Sequence, residues 1–454
     1  MTLLNFSEDD DMSGMKRNLV LVLAVAAAVA APSAFATNGY FSHGYGLTAK
    51  GMGGAATAMA KDTFGGANNP ASMVWVGNRM DIGIVLFSPM RSASRTGSTT
   101  GAGSLNGSAD SDSEQFLIPE FGYNRMLDSK SSFGVTVYGN GGMNTDYPGG
   151  QIPAGVCDTL TFTTATGPFN LLCGTGKLGV DLMQLVIAPT LSYKFSNTQS
   201  VGVSPLLGYQ RFKAEGLQGF AGFSSDSTKL TNNGYASSTG FGIRVGWMGK
   251  MSDAVTLGAA YSSKIAMSKL DKYAGLFAEQ GDFDMPSNYN LGIAIKASPA
   301  TTVAVDYQRI NYTDVKSVSN PSTNGGATMA NTLGGDDGRG FGWGDIDVWK
   351  IGVEHQYSNK LILRAGIDKT DNPITSRDVT FNIIAPGVVQ EHYTLGFTHL
   401  MDKNSELTMA FSHVPEKKVS GQSLYATWLT AAGGGNEEIK MHQNSLGIAW
   451  ATKW

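Results

Sequence analysis

The chain is short of charge. Aspartate, glutamate, lysine and arginine make up 15% of its 454 residues, well below the roughly 25% of a soluble globular protein. A net charge of −4 with both signs scattered supplies no basic face for nucleic acid. Cysteine is scarcer still: two residues exclude a disulfide framework and a multi-cysteine metal site. No stretch reaches the roughly 20 apolar residues that carry a helix across a bilayer. Catalytic signatures are missing as well. There is no Gly-x-Ser-x-Gly elbow and no His-Glu-x-x-His, and the six histidines (43, 355, 392, 399, 413, 442) share no metal-ligand spacing. No enzyme activity, cofactor or metal centre is therefore expected. Glycine is what the chain has in abundance, 58 residues against 15 prolines.

The first 36 residues read as a targeting segment. Met15-Lys16-Arg17 gives a positive start, Leu19 to Ala31 an apolar run too short to span a bilayer, and Ala34-Phe35-Ala36 a small-x-small cleavage site. Four acids ahead of Met15 (Glu8, Asp9, Asp10, Asp11) suit translation from Met15. The mature chain is then expected to begin at Thr37, in an oxidising compartment; an uncleaved anchor is the alternative.

Beyond residue 78 short segments alternate with a period of two, the mark of strands with two different faces. Phe133, Val135 and Val137 share one face, as do Met183 to Tyr193, Phe241 to Trp247, Tyr289 to Ile295, Leu361 to Ile367 and Leu446 to Trp454 taken at every second residue. Opposite them stand Gly, Ser, Thr, Asn and isolated charges such as Gln184, Arg244, Lys350, Glu354 and Arg364. A water-soluble sandwich would alternate too, so the connections decide. Six tight polar links (127–130, 196–199, 249–253, 297–300, 358–360, 401–404) take turns with seven long glycine-rich ones (96–113, 141–178, 215–235, 268–283, 313–344, 370–388, 415–440). This pattern predicts an all-β fold, a 14-stranded antiparallel transmembrane β-barrel over 79–454 with short periplasmic turns and long external loops. Its apolar face meets lipid, and an aromatic ends the chain at Trp454.

A fourteen-stranded barrel encloses a lumen wider than its own side chains fill. Residues 37–78, rich in Gly and Ala, are the candidate plug: an N-terminal, partly helical hatch with a helix-capable stretch between Leu47 and Asp62. A glycine-rich phosphate loop is the weaker alternative, since Gly51, Gly53 and Gly54 follow no strand and no Gly-Lys-Ser/Thr occurs.

Gly39-Tyr-Phe-Ser-His-Gly-Tyr-Gly-Leu47, Gly51-Met-Gly-Gly-Ala55, Ala58-Met-Ala-Lys-Asp62 and Asn69-Pro70-Ala71 together resemble the FadL family of outer-membrane transporters for long-chain fatty acids and aromatic hydrocarbons. The similarity extends over essentially the whole mature chain. It implies a passive, diffusion-driven channel of the Gram-negative outer membrane. A hydrophobic ligand is captured between external loops, passes to a lumenal site, and leaves laterally through hatch rearrangement and an inward kink in the third strand. It also implies a monomer surrounded by outer-membrane lipid and lipopolysaccharide and inserted by the barrel-assembly machinery. A general aqueous porin, and a surface adhesin or barrel enzyme acting through the loops, are the alternatives.

Candidate sites follow. The gate is expected at Asn69, Pro70 and Ala71 and at a kink over Tyr138-Gly139-Asn140-Gly141-Gly142, although these glycines could equally begin the second loop. Leu217, Phe220 and Phe223 with Tyr273, Leu276 and Phe277 are apolar residues in polar loops and are expected to form the capture groove, the alternative being that they pack the loops against each other. Candidate lumenal anchors for a carboxylate are Arg244, Lys350 and Arg364, which satisfy strand parity, and Arg211, which resembles a basic fifth-strand position of the fatty-acid transporters but alternates with the lipid-facing set. Each could instead pair with Glu354, Asp306 or Asp368. His43 could line the ligand path. Export predicts that Cys157 and Cys173 form a disulfide that stiffens the longest loop, worth about 3 kcal/mol.

Overall fold

The computed structural model describes residues 38–157, 167–324, 332–425 and 434–454. The leader expected over 1–36 and the expected first mature residue, Thr37, lie outside these residues. Fourteen long strands follow one another: β1 (Arg79–Thr96), β2 (Phe116–Met126), β3 (Ser131–Asn144), β4 (Gly179–Lys194), β5 (Gln199–Glu215), β6 (Ala236–Lys250), β7 (Val255–Ser262), β8 (Asn288–Ser298), β9 (Thr301–Ile310), β10 (Ile346–Ser358), β11 (Leu361–Thr370), β12 (Glu391–Leu400), β13 (Ser405–Gln422) and β14 (Asn436–Lys453). Each pairs antiparallel with its chain neighbour, and β14 pairs back onto β1 from Arg79↔Lys453 to Thr96↔Asn436. The sheet is thereby a closed barrel. Closure matters because an open edge in lipid would leave backbone amides without partners.

Parity behaves as the alternation predicts. On β6 the outward row Phe241, Ile243 and Val245 is exposed, whereas Arg244 between them is buried; on β11 Leu363 and Ile367 face out while Arg364 and Asp368 face in. Tyr193, Tyr261, Tyr357, Tyr393 and Trp454 are exposed near strand ends, where amphipathic rings suit the membrane interface.

Two expected loops are shorter than their polarity suggests. β3 runs on through Asn144, and β13 reaches Gln422 with β14 resuming at Asn436, so the ladder covers most of 415–440. Beyond the lipid band the strands no longer need an apolar face. Cross-strand charge pairs such as Lys418–Glu438 (3.1 Å) take over, and a register shift between Val414 and Lys417 breaks the period.

Residues 38–78 lie inside the ring. They include two four-residue helices, α1 (Leu47–Lys50) and α2 (Met73–Val76). Inward-facing glycines make the room. A Cβ at Gly122 on β2 would meet Thr63, at Gly246 on β6 Asn69, at Gly258 on β7 Thr57, at Gly366 on β11 Met52 and at Gly447 on β14 Leu47, each within 2.4 Å. Only a segment running through the bore can touch such widely separated strands. The glycine abundance of the sequence is thus partly a wall cleared for an occupant.

Candidate functional site

Polar wall residues hold the inner segment in place. Asp306 accepts from the backbone N–H groups of Ala56 and Thr57, both at 2.8 Å. Lys50 pairs with Glu120 at 3.0 Å, Lys61 with Glu354 at 2.5 Å, and Thr63 donates to Asp81 at 2.7 Å. Asn38 donates to Asp368 at 3.2 Å. The Asn69-Pro70-Ala71 turn is fixed on three sides. The Asn69 amide donates to the carbonyls of Thr57 (2.7 Å) and Trp247 (2.9 Å), its oxygen caps the turn by accepting from Ala71 N–H (3.1 Å), and the Ala71 carbonyl accepts from Ser200 (2.8 Å) and Ser192 (3.2 Å). Near the segment's end Trp75 lies beneath the ammonium groups of Lys194 (4.1 Å) and Lys250 (4.5 Å).

The third strand is the irregular one. Its register against β4 shifts between Gly139 and Gly141, so Asn140 is an inserted residue. On its other side, the ladder with β2 ends at Phe121↔Val137, while β2 itself stays paired with β1 as far as Phe116↔Phe87. Among the described residues, no strand of the wall pairs with β3 from Tyr138 to Asn144 on that side. The inner segment takes the vacated edge. Ser42 N–H donates to the Asn140 carbonyl and Gly142 N–H to the Tyr40 carbonyl, both at 3.2 Å, with Phe41 bridged to Gly141. The approach is so close that a Cβ at Gly141 would stand 1.8 Å from the Tyr40 carbonyl oxygen. Asn140 also opens a chain of buried amides through Gln184 and Gln210 to the carbonyl of Phe283.

The loop residues expected to form the capture groove are buried. Leu217, Phe220, Phe223, Tyr273, Leu276 and Phe277 are all at most 9% exposed. Phe212 sits 4.8 Å from the Tyr273 ring and 4.7 Å from that of Phe277, and Phe277 packs at a tilt against Phe283 at 4.8 Å. Polar loop composition suggested exposure, but the loops fold over one another and use these side chains as their own core. Cys157 and Cys173 are disulfide-bonded, with Cα atoms 5.7 Å apart.

Among the candidate cations, Arg211 needs correction. It stands on the outer face of β5 with its guanidinium 4.7 Å from the Tyr235 ring, and no bulge turns it inward. Arg244, Lys350 and Arg364 do face the lumen and are buried. Arg244 donates to the carbonyls of Ala67 and Asn68 and to the Asn288 side chain, which ties it to the inner segment. Arg364 pairs with Glu354 at 2.9 Å. Lys350 lies in register between Asp306 and Asp368. His43 is buried with its ring stacked on His392 (centroids 5.1 Å apart), and its Nε2 lacks a partner. Burial pushes its pKa well below the ordinary value, and the neighbouring His392, Lys50 and Lys350 push the same way.

Three inward cations of β1 escaped the sequence reading. Arg79, Arg91 and Arg95 share their parity with Val85 and Phe87 and are buried, a signal that alternation alone carried.

A sequence profile of the outer membrane protein transport proteins (OMPP1/FadL/TodX) matches residues 23–449. The chain belongs to the FadL/TodX family. Outer-membrane location, a closed fourteen-stranded barrel and carriage of hydrophobic compounds come with that membership. No curated protein sequence matches the chain. Solved FadL/TodX barrels share its fold at low identity. The toluene transporter TodX of Pseudomonas putida is 19% identical with a TM-score of 0.65, aligned over 91% of this chain and 99% of TodX. The toluene transporter TbuX of Ralstonia pickettii is 17% identical with a TM-score of 0.60, and a Pseudomonas aeruginosa FadL homologue 14% identical with 0.64; both align over 91% of this chain and 99% of their own.

Proposed function

We propose that this FadL/TodX member takes up hydrophobic compounds by passive diffusion, with residues 37–78 serving as a movable hatch and the break between β2 and β3 as a sideways exit into the bilayer. The observation that carries this reading is the exchange of partners along β3. Its outer half has given up β2 and is completed by Tyr40, Phe41 and Ser42 of the inner segment. Movement of that short edge would open the wall at membrane depth without breaking any strand–strand ladder. A wall that opens sideways suits cargo that prefers lipid to water, such as a long-chain fatty acid or an aromatic hydrocarbon. Capture would begin where the loops of Leu217–Phe223 and Tyr273–Phe277 part. An aqueous porin is a poorer reading, because glycines and five wall carboxylates are given over to holding a segment in the bore.

Deletion of Asn140 tests the exit. Removing the inserted residue restores an unbroken register on β3 and withdraws the carbonyl that Ser42 uses. In cells that lack other carriers, uptake of labelled oleate or toluene is expected to fall to the level of cells without the protein, while the barrel still assembles. Uptake at the unsubstituted rate would rule out this exit.

A further inference from the structure

One end of the barrel carries lysines with no carboxylate of their own. It is the end of the tight turns, which in outer-membrane barrels faces the periplasm. A cavity of about 900 Å³ opens there, bounded by the inner segment (Ala58 to Lys61 and Trp75) and by turn residues such as Thr198 and Ser252. Lys250 and Lys296 line it, and Lys194 reaches in from β4 to the Trp75 ring. Lys61, in the same lining, is neutralised by Glu354 at 2.5 Å. Among the described residues no carboxylate forms an ion pair with Lys194, Lys250 or Lys296, and Asp253 is the one carboxylate of the lining. Trp75 offers its ring to Lys194 and Lys250, but a ring neutralises no charge.

Unpaired lysines on a convex rim would be an ordinary solvated surface. These three differ in standing at the wall of a concave mouth, where low-dielectric walls focus their field, and in being regularly spaced. Lys194 pairs across to Ser200 on β5, and Ser200 to Met248 on β6, the strand that ends at Lys250. Lys250 pairs across to Thr256 on β7, and Thr256 to Ala294 on β8, two residues before Lys296. The lysines therefore occupy every second strand. With neighbouring strands about 4.8 Å apart, successive lysines lie roughly 10 Å from one another along the wall, and the three span about 20 Å. A single small anion cannot meet all of them, whereas an extended chain of about six residues, rising about 3.3 Å per residue, can.

We infer that this mouth is a docking surface for an acidic peptide segment of a periplasmic protein, received in extended form along Lys194, Lys250 and Lys296. Charge complementarity selects the partner, and the spacing of the lysines selects a chain over an isolated anion. The surface is distinct from the break between β2 and β3 and does not depend on the route that the cargo takes.

Fluorescence anisotropy of labelled octaglutamate, titrated with the full-length protein in a nonionic detergent, tests it. Saturable binding is expected at 50 mM salt, with affinity falling tenfold or more by 300 mM, and labelled octalysine should not bind. Replacing Lys194, Lys250 and Lys296 together by Gln should weaken octaglutamate binding at least tenfold; replacing Lys130 and Lys360, which belong to turns of the same end but do not line the cavity, should leave it within twofold. Competition in the unsubstituted protein needs no variant to fold: inorganic phosphate at equal total charge should displace the peptide poorly. Absence of saturable binding, undiminished binding by the triple variant, or equally effective displacement by phosphate, which would mark a site for small anions, overturns the assignment.

Discussion

His43 shows how much a single side chain can decide. Burial is the main force against protonating its ring, and the neighbouring His392, Lys50 and Lys350 add to it, outweighing a hydrogen bond to the Lys50 backbone. While docked it resists protonation; once the inner segment swings away from the wall, its ordinary value of about 6.5 returns. Acidification therefore favours the undocked segment. The sign follows from proton count, because below pH ~6.5 the undocked form binds a proton that the docked form refuses. Each further pH unit costs the docked state about 1.4 kcal/mol until the docked ring itself titrates. Hydrogen exchange over residues 38–78 is expected to accelerate between pH 7.5 and 5.5, and His43→Gln should flatten that dependence. Exchange that ignores pH in the unsubstituted protein would show that His43 does not titrate across the docking step. A residue of this kind is invisible to sequence spacing. Nothing around position 43 announces His392 or Lys350, which arrive from strands more than 300 residues away.

At the scale of elements, the strands and their neighbour-to-neighbour antiparallel pairing were legible, and the local parting of β2 from β3 was not. Alternation placed Arg364 and Asp368 inward and Leu363 outward correctly, because lipid on one side and a polar bore on the other impose a strict period of two. Where that contrast ends, so does the signal, and β13 outruns its apolar face on pairs such as Lys418–Glu438. For Phe220 and Phe277 the sequence left groove and loop packing both open, since loop composition does not say whether loops pack on loops; both side chains are buried. The glycines over 139–142 did announce irregularity, but that β2 deserts β3 after Val137 is a fact about pairing, which no single segment encodes. The glycine-lined wall is also an element-level device, and it can be tested as one. At Gly366 a side chain would collide with the Met52 backbone at 2.2 Å, with no flexible atom to yield. Gly366→Val is expected to displace the inner segment while leaving β10–β12 paired, and single-channel recordings should then show stable ion conductance where the unsubstituted barrel is nearly closed. A variant as closed as the parent would mean that the segment does not seal the bore.

For the whole molecule, two demands meet in one design. A barrel in lipid must satisfy every backbone amide, and the sideways exit proposed above needs a hole in that same wall. Here the conflict is met by lending part of the wall from inside: Tyr40, Phe41 and Ser42 complete β3 where β2 does not. Family membership accounts for the barrel and its location, and the partner exchange along β3 is what makes lateral release the favoured route. That claim is tested most directly by following a fluorescent fatty acid into vesicles that carry the protein, with one reporter in the bilayer and another in the aqueous interior. Lateral release predicts that the bilayer reporter responds first and the interior reporter only at the slower rate of desorption from lipid. Simultaneous arrival of the fatty acid in the interior would contradict it and place the exit along the barrel axis.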